Sequence, residues 1–123
     1  TLVRAVGARP TYLEPARHDR LVAAISHLPF MLATSLVLAA ERVGADDPIL
    51  WSLAAGGFRD TSRVAAGSVP MMMDILATNR GPILDVLRLA QTELAELAES
   101  LRADDAAQLR QRLEAAAERR RRI

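Results

Sequence analysis

Apolar residues recur at helical spacing along most of the chain. Leu21, Ile25, Leu28, Leu32, Leu36 and Ala39 follow one another at steps of three and four, which predicts one amphipathic helix ending near Gly44. Pro15 stands at its start, where a first helical turn tolerates proline. At 1.5 Å per residue such a helix runs roughly 45 Å. Pro29 falls inside it; proline removes a backbone donor and crowds the preceding turn, so a kink is expected there. Asp47-Pro48 reads as an N-cap and a first-turn proline. The short helix it opens, through Ile49, Leu50, Trp51 and Leu53, should stop at Gly56-Gly57. Phe58 to Arg63 then reads as a loop entering another helical turn, and Pro70 to Thr78 as a short helix between Gly67-Ser68 and Asn79.

The last third has the clearest period. Ile83, Leu87, Ala90, Leu94, Leu97 and Leu101 alternate steps of four and three, the pattern of a helix lying at a shallow angle on a partner. Asp104-Asp105 caps a final helix with Ala106, Leu109, Leu113 and Ala116 on one face. Residues 1–13 lack such a period: Gly7 and Pro10 break any helix, and Arg9 to Leu13 reads as a short extended segment. No strand alternation follows. The expected fold is all-α, with a connector over residues 1–13 and a helical domain over 14–123.

Between Leu28 and Ala40 apolar positions extend nearly all round the long helix, and such a helix is normally buried on several sides. Few other elements are long enough to cover it. A second copy would supply the cover, so a homodimer with interleaved helices is expected. The run itself is interrupted by Pro29, Thr34 and Ser35 and is shorter than the ~20 residues of a membrane-spanning helix. No membrane partner is expected.

Composition narrows the function more than the fold. The 123 residues are 50% hydrophobic and only 3% aromatic, so any core is built from Leu, Ala, Val, Ile and Met. Sixteen basic residues face fifteen acidic ones, a net charge of +1, which gives no general reason to expect nucleic acid. The Arg119 to Arg122 run suits a helix C-terminus, and a nucleic-acid role needs more basic surface than the rest provides. With no cysteine there is no disulfide, thiolate zinc site or cysteine nucleophile. The chain has no signal-peptide pattern, and its missing initiator Met is what a piece of a longer protein, or a processed or trimmed one, would show.

Three stretches could carry chemistry. His18 and His27 are nine residues apart, half a circle on an ideal helix, so they do not form a metal pair; no metal is expected. From composition they read as a capping or surface histidine, His18 beside Asp19, and a core-edge histidine, His27. Gly56-Gly57-Phe58-Arg59-Asp60-Thr61-Ser62-Arg63 is the most unusual stretch. Its glycines allow close backbone approach, and Arg59 and Arg63 share a face if the segment is helical. Arg63 could then hold a carboxylate through two parallel hydrogen bonds. A Gly-Gly helix stop, an Asp60 cap and a solvated arginine explain the same residues. Met71-Met72-Met73 reads as adaptable core filler. No dinucleotide fingerprint, P-loop or Ser-His-Asp arrangement is present.

The order of these pieces resembles the C-terminal helical domain of prephenate/arogenate dehydrogenases. The resemblance rests on His18-Asp19-Arg20, Ser26-His27-Leu28-Pro29, Gly56 to Arg63, Asp74-Ile75-Leu76 and Asn79-Arg80, and runs from about Gly7 to the end. It implies a fold akin to the C-terminal domain of 6-phosphogluconate dehydrogenase, a homodimer and a cytoplasmic location. NAD or NADP would be held by a Rossmann domain outside this chain, which also carries the catalytic histidine; the fragment alone would bind no cofactor. The substrate would be prephenate or arogenate, with Arg63 on its carboxylate and Gly56 and Asp60 in the same loop. There Asp60 would hold Arg63 in place or gate access to it. Ser26 and His27 would be pocket walls, with His18 near the domain junction. Phe30 stands where many members have a histidine, and Met72 where a tryptophan is common. The competing expectation is a helical dimerisation module without enzymatic activity.

Overall fold

The computed structural model describes residues 2–123, and all regular structure among them is helical. The elements are α1 (Leu2–Ala5), α2 (Pro15–Val22), a π-helical turn (Ala23–His27), α3 (Leu28–Gly44), α4 (Ile49–Leu53) and α5 (Gly56–Ser62). A 3₁₀ turn (Arg63–Ala66), α6 (Val69–Thr78), α7 (Arg80–Arg102) and α8 (Ala106–Arg121) complete the chain.

The α2, π and α3 segments form one continuous helix, Pro15–Gly44. Glu14 caps it: its carboxylate accepts from the Ala16 and Arg17 amides at 3.0 and 2.9 Å. These two bonds favour the charged form and hold the carboxyl below its ordinary range. The helix answers Pro29 with the wide turn that precedes it, in which the Leu28 amide reaches back to the Ala23 carbonyl. Proline brings no N–H, and its ring crowds the carbonyl four residues earlier. Admitting one extra residue into the turn moves that carbonyl aside. As a folded element the helix is long and apolar enough to cross a bilayer. The interrupted Leu28 to Ala40 run had implied a shorter apolar stretch.

Three local expectations change. Gly56-Gly57 do not stop α4, which ends at Leu53 because Ala54 turns extended; the glycines open α5 instead. Residues 58–62 are helical rather than a loop. Leu2–Ala5 make a helical turn, closed by Gly7 at φ +78°, a region glycine enters freely.

One compact unit ends at Val86 and the second is Leu87–Ile123. In the first, α4, α5 and the 3₁₀ turn pack on α3. Its buried apolar core residues are Ala23, Ala33, Met72 and Ile83, two of them alanines that let helices approach closely. Ser68 caps α6 by accepting from the Met71 amide. In the second unit, Arg112 on α8 pairs with Glu93 and Glu96 of α7, and the Ser100 hydroxyl donates to Gln108 at 2.7 Å. Asp105 caps α8, whereas Asp104 takes the left-handed turn that reverses the chain.

Little of the apolar surface is covered. Ile25 is 77% and Leu53 73% exposed, and Val43, Leu89, Leu94 and Leu101 stand in solvent as well.

Candidate functional site

The expected site residues separate into two groups along the long helix. The first surrounds the π turn. His27 is buried there, and its Nδ1 lies 3.3 Å from the side-chain nitrogen of Asn79, which is buried as well. That nitrogen also donates to the Asp19 backbone carbonyl at 2.8 Å. Asn79 caps the end of α6, so it ties the α6–α7 junction to both α2 and the π turn. His18 points elsewhere: it is exposed, with Nδ1 3.1 Å from the Asp19 carboxylate. The two histidines share no ligand, and no group of three His, Asp or Glu suited to a metal occurs among the described residues. Ser26, inside the π turn, is exposed.

The second group lies further along α3, at Val37. Val37, Ala54, Phe58, Arg59, Ser62, Arg63, Ala65 and Ala66 line an open hollow of about 420 Å³. Because α5 runs into the 3₁₀ turn, Arg59 and Arg63 sit one helical turn apart and reach the same hollow. Neither makes an ion pair among the described residues. Asp60 does not hold Arg63 in place; its carboxylate lies on the Gly56 side, 3.9 Å from where a Cβ on that glycine would stand. Two unpaired guanidinium groups over an apolar floor suit an anion with an apolar body. Val37 is ten residues beyond His27, about 15 Å along the helix axis, and no hydrogen bond or ion pair links the two groups among the described residues.

A neighbouring hollow of about 350 Å³ is almost wholly apolar, lined by Val43, Ile49, Leu50, Trp51 and Leu53 with Phe58 shared between the two. Trp51 and Phe58 meet edge to face, ring centres 5.9 Å apart. Sequence reasoning passed over Trp51 and gave Asn79 no chemistry. The signal for Trp51 was its rarity, one tryptophan in a chain with 3% aromatics. Asn79 had none, since its partners are 52 and 60 residues away.

Fold and hollows define an all-α domain with uncovered apolar helix faces and an open cationic recess. Residues 14–115 match the family described as the dimerization domain of prephenate dehydrogenase, and the chain belongs to that family. It is 38% identical over 84 residues to prephenate dehydrogenase of Bacillus subtilis (strain 168), covering 68% of this chain and 23% of that protein. Among solved structures it is similar to the arogenate dehydrogenase of Synechocystis. There the TM-score is 0.88 at 28% identity, over 98% of this chain and 45% of that one. It is also similar to the prephenate dehydrogenase of A. aeolicus, crystallised with hydroxyphenyl propionate and NAD+. That match has a TM-score of 0.87 at 25% identity, over 94% of this chain and 41% of that one. The chain spans about a quarter of the length of the curated relatives it matches.

Proposed function

We propose that this chain is the substrate-binding and dimer-forming part of a cytoplasmic dehydrogenase that oxidatively decarboxylates prephenate or arogenate, whose ring becomes aromatic as carbon dioxide leaves. The observation that carries the reading is the pair of unpaired arginines at the hollow on α3. Arg63 receives a substrate carboxylate through two parallel hydrogen bonds, a geometry that fixes orientation as well as charge. Arg59 adds positive potential, and Phe58 and Val37 face the apolar part of the ring. Gly56 and Asp60 shape the rim; Ser26 and His27, with His18 further out, form the polar wall near the domain junction.

A dinucleotide cradle needs a strand running into a glycine-rich turn and a helix. The described residues contain no strand, and the adjacent glycines 56 and 57 open a helix of seven residues. These residues therefore do not fit NAD or NADP, and the nicotinamide site belongs to another part of the enzyme. The uncovered faces of the Pro15–Gly44 helix are covered by a second copy rather than by lipid. The family description as a dimerization domain and the buried, hydrogen-bonded His27 on that helix both support this.

The test is an assay of the whole enzyme with prephenate and arogenate, each with NAD+ and NADP+, followed by nicotinamide absorbance. Turnover of one or both substrates is expected, with a strongly raised KM in Arg63→Ala. Absence of turnover with either substrate would leave a dimerisation module and overturn the reading.

A further inference from the structure

Asn79 is one of three buried polar side chains among the described residues, and nothing in the reaction above requires it. Its amide orientation follows from its partners. The Asp19 carbonyl can only accept a hydrogen bond, so the group facing it at 2.8 Å is the NH₂. The same nitrogen lies 3.3 Å from His27 Nδ1. An amide nitrogen donates and does not accept, so Nδ1 must offer its lone pair. A neutral imidazole whose Nδ1 accepts carries its proton on Nε2. Nε2 in turn has no hydrogen-bond partner among the described residues. It is not sealed either, because the one fully enclosed side-chain polar atom left unpartnered among them is Thr34 Oγ1. His27 thus presents an N–H to the outside from an otherwise buried ring.

We propose that Asn79 is a positioning residue: it locks His27 as the Nε2–H tautomer, so that His27 donates a hydrogen bond to an oxygen of the bound anionic substrate. The tautomer rests on the Asp19–Asn79–His27 geometry alone. Only the identity of the acceptor rests on the function proposed above. The π turn is part of the device, since it carries the ring that Asn79 meets across the α6–α7 junction.

Long-range ¹H–¹⁵N correlation of the imidazoles, on the 123-residue chain at neutral pH, reads the tautomer directly. With only two histidines, a His18→Gln variant assigns the signals. His27 should show the Nε2–H pattern alone, and in Asn79→Ala it should average over both tautomers. An Nδ1–H pattern in the unaltered chain, or an unchanged pattern in a folded Asn79→Ala, would overturn the lock. The unaltered chain gives its answer even if the variant does not fold.

In the whole enzyme, His27→Gln, whose amide can stand in for Nε2–H, should keep KM within a few fold. His27→Asn and Asn79→Ala should raise it about tenfold with kcat less affected. A merely structural Asn79 would lower the melting temperature and leave tautomer and KM alone, which would overturn the proposal. If tautomer averaging appears but KM does not move in an enzyme that turns over prephenate, the donor role is overturned. If the enzyme turns over neither substrate, the functional reading fails and the spectrum still decides the lock.

Discussion

At the π turn, His27 and Asn79 are buried and bonded to one another and to the Asp19 carbonyl. Beside Val37, ten residues further along that helix, Arg59 and Arg63 stand at an open hollow with no ion partner among the described residues. The contrast follows from solvation. A polar group withdrawn from water costs about 1–3 kcal/mol if left unpaired, so the first region had to complete its hydrogen bonds within the chain. An exposed guanidinium keeps its water and can wait for a ligand at little cost. Damage to the first region should therefore be read in stability as well as in KM, and damage to the second in binding alone.

The largest expected effect tests the open end. Arg63→Ala in the whole enzyme should raise KM on the order of 100-fold, as two charge-assisted bonds are lost. Arg63→Lys should recover part of it, because the ammonium keeps the charge but not the fork. Neither should change stability by more than about 0.5 kcal/mol, as for exposed positions generally. Steady-state kinetics beside thermal melts check this, and a normal KM with a lowered melting temperature would invert the contrast. Next comes the buried end. Asn79→Leu should cost about 1–3 kcal/mol in denaturant unfolding, because the Asp19 carbonyl and His27 Nδ1 both lose their donor. Unchanged stability would mean that water reaches them.

A smaller effect asks what covers the open end. Leu53 lines the apolar hollow beside the arginines and is largely exposed in the single chain. Leu53→Glu should weaken self-association about tenfold by sedimentation if a second copy lies there; an unchanged constant would place this hollow outside the interface. The smallest effect is at Glu14. Its folded carboxyl titrates below the ordinary 4.5. Its capping contribution is therefore present above that value and is lost as pH falls through the lowered one. Glu14→Gln should weaken the start of α2 at pH 7 and flatten this part of the acid dependence in helix melts. An identical pH profile for the variant would remove Glu14 from the account.

Much of this was legible before any coordinates. Periodicity gave the long helix, α7 and α8, because their apolar stripes are written at steps of three and four, and the glycine, serine and asparagine borders gave α6. The Arg59–Arg63 spacing was legible as well, conditional on a helix that the structure supplies. The Gly56-Gly57 stop was misplaced because glycine ends helices often, while here Ala54 had already turned extended and the glycines, small enough for any backbone, open the next helix. The resemblance supplied Ser26, His27 and His18 as a set, but not their separation into a buried ring and exposed neighbours.

By itself, the sequence determined that the chain is helical, where most helices lie, and that its apolar residues exceed what one copy can cover; these follow from local spacing and composition. Only the tertiary structure decided that the helix widens over Ala23–His27, that Asn79 meets His27 across 52 residues, and that Arg59 and Arg63 share a hollow with Val37 of the long helix. Such matters depend on which elements pack against which. The same periodic stripes permit many pairings, and a hydrogen bond between distant residues leaves no trace in the spacing of either.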